Sequence, residues 1–99
     1  MPRSSKTKAT DISQAVKAAV WERDGGRCVL CGSHKALPNS HYIRRSAGGL
    51  GIEQNIVTMC IVCHDAFDGC GRGHLMPKVK AYLESIYPDW DETKLIYRR

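Results

Sequence analysis

Ninety-nine residues are enough for one domain, and an apolar fraction of 42% that already counts five cysteines leaves a thin core for a fold with no staple. Fifteen Lys and Arg against ten Asp and Glu give a net charge of +5, which favours polyanionic partners over acidic ones. No apolar run approaches the ~20 residues that cross a bilayer, and the start lacks an apolar signal region, so the expectation is a soluble cytoplasmic chain with no membrane partner.

Residues 1–9 are polar and basic, with Arg3, Lys6 and Lys8, and read as a disordered arm. The rest, 10–99, reads as a single domain with its core over 27–69 and C-terminal helices over 77–98. From Thr10 or Asp11, either a good N-cap, the positions Ile12, Ala15, Val16, Ala19 and Val20 keep the spacing of an amphipathic helix that stops near Asp24, Gly25 and Gly26. Trp21, beside that stripe, is expected to pack against the cysteine region. Arg27–Gly32, RCVLCG, has the form of a metal knuckle, two cysteines on a tight turn closed by glycine.

After a loop at 33–36, Leu37–Ile43 reads as a first strand with His41 near its inward tip. RRSAGGLGIEQ is too polar and glycine-rich for core. Asn55–Met59, NIVTM, is a β-branched second strand, and Cys60 should turn into a helix beginning near Ile61. Gly69–Gly73, with three glycines, reads as a mobile link. Pro77 suits the first turn of a helix that keeps Val79, Tyr82, Leu83 and Ile86 in period and is stopped by Pro88. Asp89 with Glu92 resembles a capping box for a last short helix containing Trp90, Leu95 and Tyr97.

Four of the five cysteines form two CxxC pairs, Cys28 with Cys31 and Cys60 with Cys63. Without a secretory signal this spacing points to thiolates kept for metal, and a structural zinc takes four such ligands tetrahedrally. Joining the pairs pins everything between them at both ends. A four-cysteine iron site satisfies the same spacing but leaves the histidines unexplained. Cys70 and His74 supply only two ligands and read as an unpaired thiol and a surface histidine; His34 reads as exposed.

On a helix each residue turns by ~100°, so Cys63 and Phe67 share one stripe while His64 and Asp68, at i and i+4, share a neighbouring one. That helix can hold a structural metal with one face and present an imidazole and a carboxylate with the other. Such a pair is a usual incomplete ligand set for a divalent ion; the bland alternative is a solvated helix surface.

The ordered set of two CxxC pairs, SHYI, a GG-containing basic loop, QNIVTMC and CxxCHxxxD resembles the HNH endonucleases, in particular the small phage-type members with a four-cysteine zinc. The likeness covers most of the chain, from about Val16 through YPDWDETK. It implies a small α+β fold, a zinc-stapled treble clef carrying a ββα-metal site, with flanking N- and C-terminal helices. It implies His41 as general base, Asn55 as the structural residue that orients it, His64 as a catalytic-metal ligand and Asp68 as a second ligand. Ser40 stands where the family often has an acidic or histidine ligand. A neutral hydroxyl is a poor ligand for a hard dication, so Asp68 or water would supply that place. Arg44 and Arg45 would hold the DNA backbone. The implied cofactors are structural Zn2+ and a catalytic Mg2+, Mn2+, Ni2+ or Zn2+. The implied partners are DNA, double-stranded, and a phage terminase large subunit, with the host cytoplasm as location.

The function expected is metal-dependent hydrolysis of DNA phosphodiester bonds, by nicking or double-strand cutting with little sequence specificity, leaving 5′-phosphate and 3′-hydroxyl ends, in phage genome packaging. The competing reading is a non-catalytic treble-clef zinc module that binds nucleic acid or a packaging protein. It gives no reason for His41, Asn55, His64 and Asp68 to occur together. A cysteine redox protein, the third reading, would depend on oxidation state and not on magnesium or manganese.

Overall fold

Two runs in the middle of the chain, Ala36–His41 (β1) and Ile56–Cys60 (β2), pair antiparallel as a two-stranded sheet in the computed structural model, which describes residues 5–97. Ala36 faces Cys60 and Leu37 faces Met59 at one end, and Ser40 faces Val57 and His41 faces Ile56 at the other. Between them Pro38 and Asn39 oppose the single residue Thr58, a bulge at the place where proline has no N–H for the ladder. The bulge shifts the register so that Ser40 points into the core while His41 sits at the strand's end.

Four helices surround the sheet: α1 (Ser5–Thr10), α2 (Gln14–Arg23), α3 (Ile61–Asp68) and α4 (Arg72–Ile86), with short 3-10 turns at Arg45–Ala47 and Glu92–Leu95. All five residues of β2 are buried. One edge of β2 is taken by β1, and the other is covered from outside the sheet. Arg23 Nη2 donates to the Ile56 carbonyl at 2.7 Å, Thr58 N–H donates to Asp24 Oδ2 at 2.8 Å, and Val29 N–H donates to the Thr58 carbonyl at 2.9 Å. A strand buried on both faces and both edges leaves no ladder group unmet, which is why so short a sheet can form the centre of the fold.

The core gathers Tyr42, Val57, Met59, Phe67, Val79, Leu83 and Leu95 around the buried Cys28 and Cys60. The end of the described chain closes over it: the Trp90 ring stands edge-on to Tyr42 at 5.5 Å, its indole N–H donates to the Gln54 carbonyl at 2.7 Å, and Tyr97 N–H donates to the Gly48 carbonyl at 2.7 Å. Gly49 and Gly51 allow two close backbone approaches. A Cβ at Gly49 would lie 1.7 Å from the Ile43 carbonyl oxygen, and one at Gly51 would lie 2.0 Å from that of Asp11. Among the described residues no helix is long and apolar enough to cross a membrane.

Several expected boundaries move, some for local reasons and some for tertiary ones. Residues 1–4 of the expected arm lie outside the described residues; from Ser5 the chain is helical, with Thr10 buried and the Ala9 carbonyl accepting Gly51 N–H at 2.9 Å. The following helix is capped by Ser13, whose Oγ accepts Val16 N–H at 3.2 Å, and not by Thr10 or Asp11, which are drawn to His41 and Arg45. Trp21 is 40% exposed and lies against Gly26 instead of the cysteines. The glycine-rich link is shorter than its composition implies: Arg72 and Gly73 are already helical, so Pro77 falls inside α4. Arg72 explains the early start, since it donates to the Tyr42 carbonyl at 2.7 Å and stacks 4.7 Å over the Phe67 ring. Near the end Asp91, not Asp89, caps the last turn by accepting Thr93 N–H at 2.9 Å, while Glu92 accepts the Tyr42 hydroxyl at 2.9 Å.

Candidate functional site

The two CxxC pairs meet beneath β2. Cys28 and Cys31 sit on the turn after α2, closed by Gly32 at φ +80° with its N–H on the Cys28 carbonyl at 2.9 Å. Cys60 ends β2 as the N-cap of α3, its Sγ accepting Cys63 N–H at 3.5 Å. The four Sγ atoms lie within 4.8 Å of one another, with Cys31 and Cys60 at 3.5 Å, and the four can hold a metal ion. Tetrahedral bonds of ~2.3 Å place sulfurs ~3.8 Å apart, so the cluster fits a four-thiolate ion closely. At Cys28 the backbone favours the thiolate. Burial alone raises the Cys28 pKa, but N–H groups of the Cys60, Cys31 and Leu30 region bring it down to about 7. Cys63 goes the other way, pushed up by burial and by the three neighbouring sulfurs.

On the opposite side of α3, a polar cavity of about 370 Å³ is lined by His41, Arg44, Arg45, Ser46, His64 and Asp68. Residues from the end of β1, the loop after it and α3 thus share one space. His64 and Asp68 are one helical turn apart, and His64 Nε2 lies 3.0 Å from Asp68 Oδ2. An imidazole and a partly exposed carboxylate at this separation fit a divalent ion of mixed nitrogen and oxygen preference and would leave most of its positions to water or substrate.

His41 is half-buried, and its Nε2 is held 2.9 Å from the Thr10 carbonyl oxygen. A carbonyl can only accept, so Nε2 carries the hydrogen and Nδ1 keeps the lone pair. Burial lowers the His41 pKa; Arg45 and His64 push the same way, while the Thr10 carbonyl and Asp68 oppose them. The ring is therefore neutral and basic at neutral pH.

Asn55 is fully buried behind this residue and fastens the loop to β2. Its Oδ1 accepts Ile43 N–H at 2.7 Å, its Nδ2 donates to the Leu50 carbonyl at 2.8 Å, and its own carbonyl accepts Tyr42 N–H at 2.7 Å. These bonds end the strand after His41 and hold the turn at a fixed angle to it. Arg44 donates to the Asp68 carbonyl at 2.9 Å, tying the loop to the end of α3, and Arg45 pairs with Asp11. Ser40, the doubtful candidate ligand, is not brought to the cavity. It is completely buried and, among the described residues, its hydroxyl has no hydrogen-bond partner.

Four groups carry the arrangement, and the sequence assigned none of them to it. Thr10 contributes only its backbone, which no side-chain pattern reveals. Arg23 and Asp24 read as a helix end, yet the Asp24 carboxylate is fully buried and accepts from Arg23, Thr58 N–H and the Tyr82 hydroxyl. Arg72, in the stretch read as a link, counted in the sequence only as a cation that with Lys78 and Lys80 could extend a DNA-facing surface; it turns instead to the Tyr42 carbonyl and the Phe67 ring. Cys70, His74 and His34 are exposed, and the glycines of the 48–51 loop serve close packing. No protein-family model matches the chain, and neither a curated protein nor a solved structure matches it.

Proposed function

We propose that the chain is a metal-dependent DNA endonuclease of the HNH type, with the cysteine cluster as a structural zinc site in a treble clef and β1, β2 and α3 as its ββα-metal unit. The observation that carries this reading is the convergence of His41, His64 and Asp68, spread over 27 positions of sequence, on one cavity with Arg44 and Arg45 at its rim. A binding module has no use for an imidazole that shares one cavity with an imidazole–carboxylate pair. Electrophilic charge for the scissile phosphate and the departing oxygen would come from a divalent ion on His64 and Asp68.

The chain's own residues supply the rest. His41 accepts at Nδ1 the proton of the water whose oxygen bonds to phosphorus, the P–O3′ bond breaks, and the departing 3′ oxygen takes a proton from solvent water, leaving 5′-phosphate and 3′-hydroxyl ends. Thr10 keeps the ring in the tautomer that makes this possible. Arg44 and Arg45 offer guanidinium donors to phosphate oxygens, and Asn55 holds the turn that presents them. Few groups near the cavity could read base edges, so cutting with little sequence preference is expected.

The test is cleavage of supercoiled plasmid by zinc-loaded protein with chelator, magnesium, manganese or nickel, beside His41→Ala and Asp68→Ala. Cleavage that needs a divalent ion and falls at least ~100-fold in His41→Ala, with zinc content and melting temperature retained, is the expected result. Plasmid left intact by folded, zinc-bound protein under every metal would replace this reading with that of a binding module.

A further inference from the structure

His41 borders two cavities, and the nuclease reading uses one of them. The second, about 490 Å³, lies toward α2 and is lined by Asp11, Ile12, Lys17, Asn39, His41 and Arg45. The two share His41 and Arg45, so a chain-like ligand crossing the site at His41 leaves by way of the second. Lys17 is half-buried in the first half of α2, and no carboxylate pairs with it among the described residues. Asn39 is half-buried on the β1 bulge, lines both this cavity and the one bordered by Lys35 and His64, and its side-chain amide likewise has no hydrogen-bond partner among the described residues. Asp11 does not cancel the charge of Lys17, because its carboxylate is engaged by Arg45. An unpaired ammonium and an unpaired amide facing one opening, beside a histidine, fit an anion with several acceptor oxygens.

We infer that this second cavity is a phosphate subsite for the nucleic-acid backbone adjoining the scissile bond, with Lys17 supplying its charge and Asn39 a directed N–H donor. The inference rests on the nuclease reading for the identity of the ligand and adds the path of the strand across α2. It places substrate affinity partly in a helix that lies outside the two CxxC pairs and the loop between them.

The experiment measures binding of a fluorescein-labelled duplex to full-length zinc-loaded protein, without added divalent ion, over a salt series, and cleavage of the same duplex with ion present. Lys17→Ala should weaken binding about 5- to 10-fold at low salt and reduce the slope of log K against log salt by about 1. It should raise KM with kcat nearly unchanged, and Lys17→Arg should restore both. Asn39→Ala should weaken binding about 3-fold with the slope intact, since an amide releases no counterion. Lys94→Ala, on the separate cavity lined by Tyr87 and Trp90, is the control for loss of one surface charge. The subsite is overturned if Lys17→Ala matches Lys94→Ala in affinity and slope, or if it lowers kcat at constant KM. Because the binding arm runs without catalysis, a parent that binds through Lys17 but never cleaves would retain the subsite and discard the nuclease.

Discussion

His41 is held on one side and open on the other, and this asymmetry determines how it can act. The Thr10 carbonyl occupies Nε2, so the proton-accepting nitrogen is Nδ1. Protonation at Nδ1 abolishes the base, and burial lowers the pH at which this happens. The sign is therefore toward acid: the low-pH limb of kcat/KM should have its midpoint below the ordinary imidazole value of about 6.5. A midpoint above that value would show that His41 is not the titrating base. Ser40 gives a contrasting expectation. Its hydroxyl is buried without a partner, so Ser40→Ala removes an unmet polar group and should raise stability by about 1 kcal/mol in urea titration, leaving cleavage intact. Loss of metal-dependent cleavage in Ser40→Ala comparable to that of Asp68→Ala would return Ser40 to the site.

At the scale of the elements, β2 depends on what covers its outer edge. Arg23 and Asp24, at the end of α2, satisfy backbone groups of Ile56 and Thr58 and reach Tyr87 and Tyr82 near the end of α4. Burial and the Asp24 carboxylate push the Tyr82 hydroxyl up to about 12, so it donates and stays protonated. Asp24→Ala leaves a largely buried guanidinium without its carboxylate and Thr58 N–H without an acceptor. A loss of about 3 kcal/mol or more is expected, read as a lower midpoint in urea titration, and a change under 1 kcal/mol would show the edge to be covered by other means. Helices and strands were legible where periodicity or β-branching is local, as in NIVTM and in the start of α3 at Cys60. Their ends were not. Thr10 and Arg72 each answer to partners far along the chain, and a distant partner overrides a local cap or glycine signal.

For the whole molecule, the four clustered cysteines bring the turn after α2 to the junction of β2 and α3, so an ion held there would couple its binding to folding. Removing the ion with a strong chelator should abolish the cooperative thermal transition, and adding Zn2+ back should restore it together with cleavage. An unchanged melting curve in metal-free protein would mean that the core suffices alone. Residue type and short spacing by themselves determined the two CxxC pairs, the order of strand, loop, strand and helix, and the i, i+4 pair His64 and Asp68, because ligand chemistry and helix geometry are local properties, whereas His41 and Asn55 were singled out through a family resemblance. Tertiary structure alone decided which nitrogen of His41 is free, that Arg45 answers to Asp11, that Arg72 lies under Tyr42, and that a bulge at Pro38 sends Ser40 inward. The three pairings join residues 31, 34 and 30 positions apart, and such contacts arise only when the β1–β2 sheet and its covering helices have closed.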